Sequence, residues 1–268
     1  MRNLAATNRC HLFEDIADEI WAHVIYNHRA GMDVSEIGIT KDIIAAIRNH
    51  FNSIPNFGVW SNPGYNEDLH GSDIDIFVET TTGNFIWYAL QAKALRLNGR
   101  YQDMAGIRGG EYQWDKLNRL ANQAGCISQY LLYNGVDGYK YSGHDKCNRA
   151  FSETQFGCSL VATSDVERIS LLRNPTFRDF HPLLAQPWRV IVCCKHDNNK
   201  QTLYNISQIK RAVDYYPTSF GNINILRQDD IGQKQNDFNV NAINNFSESI
   251  GRTPYYRMII RTTSSLFI

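Results

Sequence analysis

Apolar residues recur along this chain at two spacings, and the switches between them mark its elements. Ile16, Ile20 and Val24 stand at i, i+4 and i+8, which lays one apolar stripe along a helix over Glu14–Ile25. A second helix is predicted over Lys41–Phe51, with Thr40 as N-cap and Ile43, Ile44, Ile47 and Phe51 turned inward. Pro55 closes it, Phe57–Trp60 suits a short strand, and the Asn, Gly, Pro and Asp residues of Ser61–Ser72 read as a loop. The period then changes to two. Asp73–Glu79 (DIDIFVE) alternates strictly, Thr80–Asn84 breaks it, and Phe85–Leu95 (FIWYALQAKAL) is a longer β-rich run. Two such runs joined by a short Gly-Asn break predict an antiparallel hairpin.

Beyond the hairpin, Arg96–Gly110 reads as a loop and Glu111–Gln123 as a helix with Trp114, Leu117, Leu120 and Ala121 on one side, ended by Gly125. Ile127–Tyr133 suits a buried strand, Ser164–Leu172 a helix, and the apolar Pro187–Lys195 (PWRVIVCCK) a central strand. Farther on, Gln201–Tyr215 suits a helix and Tyr255–Thr262 a strand. Strands interleaved with helices around a hairpin predict an α/β domain, a mixed central sheet flanked by helices with a helical N-terminal addition. One domain is expected over residues 1–268, its core about residues 33–195 and residues 196–268 a C-terminal extension.

Composition narrows the picture little. Basic and acidic residues number 27 each, so any polyanion must be met by local positive charge. Arg96, Arg100, Arg108, Lys116 and Arg119 cluster just after the hairpin, open to two readings, solubilising charge or a phosphate-tracking patch. No apolar run is long enough for a membrane span, and Met1–Cys10 lacks the apolar segment of a signal peptide, so a cytoplasmic protein is expected. The six cysteines form no CxxC pair and are expected to be free thiols, and His144-Asp145-Lys146-Cys147 stands in a polar loop without matching metal ligands.

The hairpin carries the chemistry. Alternation puts Asp73, Asp75, Phe77 and Glu79 on one face, and Phe85, Trp87, Ala89, Gln91 and Lys93 on one face of the next strand. A turn centred near residue 82 or 83 makes paired positions sum to about 164–167, so Asp73 lies opposite residues 91–94. Directly opposed Cβ atoms are roughly 5 Å apart, which crowds a carboxylate, a carboxamide and an ammonium together. Asp73 offers an anionic oxygen and Gln91 a neutral one to a hard cation such as Mg²⁺, with Mn²⁺ a substitute. Lys93 binds no metal but meets charge on a phosphate or orients a water.

G-S-D-I-D-I-F-V, a turn, then Y-A-L-Q-A-K-A-L resembles the PD-(D/E)xK, or restriction endonuclease-like, nuclease superfamily, in its Q-x-K variant similar to methylation-dependent restriction enzymes and related bacterial nucleases. The resemblance covers about residues 33–195 and implies a restriction endonuclease-like sheet and a Mg²⁺-dependent endonuclease hydrolysing phosphodiester bonds. It implies DNA as partner before RNA, a role in restriction or antiphage defence, and the possibility of a homodimer or a regulatory partner protein. It assigns catalysis to Asp73, Gln91 and Lys93, with metal on Asp73 and Gln91. Asp73 is preferred over Asp75 as the motif aspartate because it follows Gly71-Ser72 and opens the strand; Asp75 stands as a second acidic contact to the metal. The acidic residue such enzymes often carry on a preceding helix is assigned to Glu36, with Glu19 as second choice, and the polar residue early on the following helix to Gln113.

Two other functions fit parts of the pattern. S-D-I-D-I-F-V also looks like the metal strand of a nucleotidyltransferase, but Val59 follows Phe57-Gly58 where Ser is expected, and Gln91-Ala92-Lys93 replaces the third carboxylate. The lost charge at Gln91 also suits an inactive nucleic-acid-binding module.

Overall fold

The computed structural model describes residues 9–52, 59–64, 71–80, 84–107, 110–171, 173–194, 203 and 255–260, with the side chains of 48–52, 59–64 and 255–260 left aside. Helix α1 (Arg9–Arg29) is longer than the stripe predicted, because Leu12 and Phe13 extend its buried face to Val24. Helix α2 (Glu36–Asn52) begins a turn before the predicted N-cap. Ser35 caps it instead: its Oγ accepts from Gly38 N–H at 3.2 Å and its carbonyl from Ile39 N–H at 2.9 Å, the pattern of an N-cap residue. Thr40 is buried within the helix, where its hydroxyl meets the Tyr133 hydroxyl at 2.8 Å.

The strands are β1 (Val59–Gly64), β2 (Ile74–Glu79), β3 (Phe85–Ala94), β4 (Ile127–Tyr133), the short pair β5 (Ser142–His144) and β6 (Ala150–Ser152), β7 (Cys158–Ala162), β8 (Gln186–Pro187) and β9 (Tyr255–Ile260). Seven of them form one mixed sheet in the order β1-β9-β2-β3-β4-β7-β8, and β5 pairs with β6 apart from it. β2 and β3 are antiparallel with Ile74 opposite Leu90 and Glu79 opposite Phe85, the hairpin the alternation predicts, while β3 runs parallel to β4 and β2 parallel to β9. The C-terminal strand thus enters the sheet between the first two strands in sequence.

Both sheet faces are covered. Ile74, Ile76, Val78, Ile86, Tyr88 and Leu90 pack with the apolar faces of α1 and α2. Phe77, Phe85, Trp87 and Ala89 lie on the other face with α3 (Gln113–Ala124), α4 (Thr163–Ser170) and α5 (Phe177–Phe180). Trp87 and Trp114 are core residues here, each nearly inaccessible. Gly125 ends α3 in the left-handed conformation at φ 71°, its N–H returning to the Ala121 carbonyl.

Two expectations are overturned. Pro187–Lys195 is not a central strand: Gln186–Pro187 form a two-residue edge strand and Val190–Cys193 a short helix, α6. A run apolar on every side is buried whichever way it winds, so periodicity could not choose. The tertiary contacts decide, with Trp188 Nε1 donating to the Phe13 carbonyl at 2.7 Å and buried Arg189 paired to Asp145 at 2.7 Å and Glu14 at 2.6 Å. The cysteines are not all free: Cys10 is joined to Cys193 and Cys147 to Cys194, with Cα–Cα separations of 5.3 and 5.4 Å, while Cys126 and Cys158 are buried thiols. Spacing hid this because the partners lie 183 and 47 residues apart. The predicted Gln201–Tyr215 helix lies outside the described residues except for Leu203, and among the described residues no helix is long and apolar enough to cross a membrane.

Candidate metal and phosphate site

β3 outruns its hairpin partner. β2 begins at Ile74, opposite Leu90, and Asp73 N–H still reaches the Leu90 carbonyl at 2.8 Å, but beyond that point, among the described residues, one edge of β3 has no strand beside it. Backbone groups of alternate residues point to the same edge, so Ala92 and Ala94 present their N–H groups there. A carboxylate covers each. Asp73 Oδ2 accepts from Ala92 N–H at 2.8 Å, and the Glu36 carboxylate, from the first turn of α2, accepts from Ala94 N–H. Two strand residues span roughly 6.6 Å, which sets the scale of the separation between the two acids.

Gln91 and Lys93 alternate with these alanines and point to the face under α3. Gln91 is 1% exposed and its Nε2 donates to Asp73 Oδ2 and, at 3.4 Å, to the Ala92 carbonyl, while its Oε1 is buried with no hydrogen-bond partner among the described residues. Lys93 is 5% exposed and lies close enough to Glu36 for its charge to act there. Burial raises the Glu36 carboxyl above the ordinary carboxylate range; the positive charges of Lys93 and Arg96 and the Ala94 N–H pull it back, and Asp103 pushes it up again. Arg96 Nη2 stands 3.5 Å from Glu36 Oε1 and its Nη1 donates to the Val34 carbonyl, which ties the start of α2 to the end of β3.

The structure therefore gathers Asp73, Gln91, Lys93 and Glu36 at one strand end, and the register that does so sums paired positions to 164 (74 + 90). Glu19 stays half-buried on α1. Asp75 lies one pair deeper, opposite Ala89, fully buried, with Ser72 Oγ donating to it at 3.4 Å. Gln113, at the head of α3, is buried against Gly106 and Gly71, where an added Cβ would meet its side chain at 2.2 Å and its carbonyl at 2.7 Å. Sequence reasoning did not single out Asp103, whose charge reaches both Glu36 and Tyr130 from the loop after β3; its left-handed φ of 50° leaves no periodic signal. The basic cluster is largely engaged within the protein: Arg96 with Glu36, Arg119 with Glu111, Arg100 with the Asn174 carbonyl, and Lys116 buried, while Arg108 lies outside the described residues.

Among the described residues no three His, Cys, Asp or Glu side chains meet as a metal cluster. What Asp73, Gln91 and Ala92 present is one carboxylate, one carboxamide oxygen without a partner and one backbone carbonyl. All are hard oxygens, which suits Mg²⁺ keeping several waters and suits a thiophilic metal poorly.

One family model matches residues 9–262, and its description is Family of unknown function (DUF6615). No curated protein and no solved structure matches the chain.

Proposed function

The chain belongs to that family, and we propose for it a Mg²⁺-dependent endonuclease activity on DNA, the reading implied by its likeness to the restriction endonuclease-like superfamily. One observation carries the proposal: two carboxylates, a buried carboxamide and a buried lysine converge where β3 outruns β2. A buried lysine at a strand end needs a compensating purpose, and a phosphodiester supplies one.

Asp73 would hold the cation beside the Ala92 carbonyl, and Gln91, whose amino group faces both of these oxygens, would add its Oε1 once the carboxamide is turned over. When bound, Mg²⁺ lowers the pKa of a water and neutralises charge on the scissile phosphate. Lys93 places its ammonium against the charge that builds on the phosphate oxygens. Glu36, with its carboxyl raised by burial, is suited to take a proton from the attacking water. Arg96 and Ala94 N–H hold that carboxylate in place. Action in restriction or antiphage defence, in the cytoplasm, belongs to the same proposal. Asp75 speaks against a nucleotidyltransferase, since it is fully buried and hydrogen-bonded inside the domain.

Plasmid cleavage by the wild type and by Lys93→Ala, each with Mg²⁺ and with EDTA, tests the proposal. Cutting that needs both the metal and Lys93 is expected. A wild type that leaves DNA and RNA substrates intact in Mg²⁺ and in Mn²⁺ would overturn it and bring the nucleic-acid-binding module forward.

A further inference from the structure

Gln91 holds its carboxamide with the amino end toward the two oxygens that a cation would take. Nε2 donates to Asp73 Oδ2 and lies 3.4 Å from the Ala92 carbonyl oxygen, so the amino group occupies the position between them. The carbonyl end, Oε1, is turned away into a buried place without a partner. Without a cation that arrangement is favoured over the turned one, because the amino group donates to the Asp73 carboxylate. Turned over, Oε1 would face the Asp73 carboxylate and the Ala92 carbonyl, three acceptors with no donor among them. With a divalent cation between them the preference reverses, because Oε1 becomes a ligand and the amino group would be repelled.

We propose that the Gln91 carboxamide is a built-in plug of this site: its amino group stands in for the cation, and loading requires the amide to turn over by half a revolution. The inference rests on the reading of Asp73 and Gln91 as the cation-binding pair. The two ends of the amide are nearly the same size, so the turn about the terminal torsion needs no other movement in a core this well filled. It has a consequence for regulation. The cation must displace a hydrogen bond to a carboxylate before it binds, so the free Mg²⁺ concentration at which the site loads is higher than a glutamate at position 91 would set. Two features of this chain's own sequence thereby act together, since the residue that removes one negative charge also supplies the competitor for the one that remains. With the amino group donating to Asp73, the cation-binding oxygens are engaged when the site is empty, which keeps it inert until cation is abundant.

The test is side-chain amide NMR on full-length protein labelled with [¹⁵N]glutamine, titrated with MgCl₂, alongside calorimetry of the same titration. Gln91→Glu and Gln91→Asn each delete the Gln91 signal pair and assign it by difference. Before Mg²⁺ the Gln91 amide protons are expected downfield and slow to exchange, as donors to a buried carboxylate. As the calorimetric signal saturates they should move upfield and exchange faster, and Gln91→Glu should bind Mg²⁺ about tenfold or more tightly than the wild type, the scale of one charge-assisted hydrogen bond. Heat of Mg²⁺ binding with a Gln91 amide that neither shifts nor loses protection overturns the plug and leaves the cation site standing. No Mg²⁺ binding by either method, in wild type and Gln91→Glu alike, overturns the plug together with the cation site.

Discussion

Asp73→Asn separates chemistry from folding at the strand end. Asparagine keeps the size and one acceptor oxygen, so the bonds from Ala92 N–H and Gln91 Nε2 can persist, but the charge that strengthens them is lost. A hydrogen bond to a charged group contributes about 1.5–3 kcal/mol against about 0.5–1.5 for a neutral one, so two such bonds weaken by roughly 2 kcal/mol in all. For a domain of this size about 2 kcal/mol lowers the melting temperature by roughly 4–8 °C. Native stabilities run about 5–15 kcal/mol, so the variant stays folded at 25 °C and a fold defect cannot explain a large loss of activity. Loss of the anionic ligand should nevertheless cut cleavage by about 10³-fold, since tenfold in rate corresponds to about 1.4 kcal/mol of transition-state stabilisation. The assay is supercoiled plasmid cleavage beside thermal melts with and without MgCl₂. Ligand at about 100 times its dissociation constant adds roughly 2.7 kcal/mol, so Mg²⁺ should raise the wild-type midpoint and leave that of Asp73→Asn unmoved. Cleavage within threefold of wild type, or the same Mg²⁺ shift in both proteins, would refute the assignment of Asp73.

Further predictions follow from neighbouring groups. Arg96→Gln removes a positive charge that holds the Glu36 carboxyl down, so the acid limb of a kcat/KM against pH profile should move to higher pH; an unmoved limb argues against Glu36 as the base. His181 is buried, stacked on Phe177 at 4.0 Å, donating through Nδ1 to the Phe177 carbonyl and accepting through Nε2 from Ser159 Oγ, and burial lowers its pKa from 6.5 to about 3. The unfolded chain then binds the extra proton first, so stability is full above about pH 6.5 and falls toward pH 3, by roughly 2 kcal/mol at pH 5; urea melts of wild type and His181→Gln should show a shallower acid loss in the variant. Removing the Cys147–Cys194 link by Cys147→Ser with Cys194→Ser should lower stability by up to about 4 kcal/mol, as loop closure over 47 residues suggests, and peptide mapping of the wild type without reduction should recover the linked pair. Gly106→Ala forces a Cβ onto the Gln113 side chain at 2.2 Å with φ at +45°, so it should destabilise the protein by about 1–3 kcal/mol in thermal melts.

Local pattern was enough to specify the hairpin. Strict alternation in Asp73–Glu79 and Phe85–Leu95 set which side chains share a face, and a slip of one residue would have sent Ile74, Ile76 and Val78 to the wrong side of the sheet. The pairing of Asp73 with Gln91 was legible for that reason, and Gly125 announced the end of α3 by its conformational freedom. Tertiary structure alone decided the rest. Glu36 reaches Ala94 because α2 docks on the opposite face and starts at Ser35, a cap hidden from periodicity by the apolar residues that follow Thr40. Asp103 comes near through a left-handed loop residue, the four linked cysteines meet at α6 across long stretches of chain, and the apolar Pro187–Lys195 winds into a helix because Trp188 and Arg189 find partners 175 and 44 residues away. Spacing along a strand or helix is written in neighbouring residues, whereas the contacts that complete this site close over distances at which sequence carries no period.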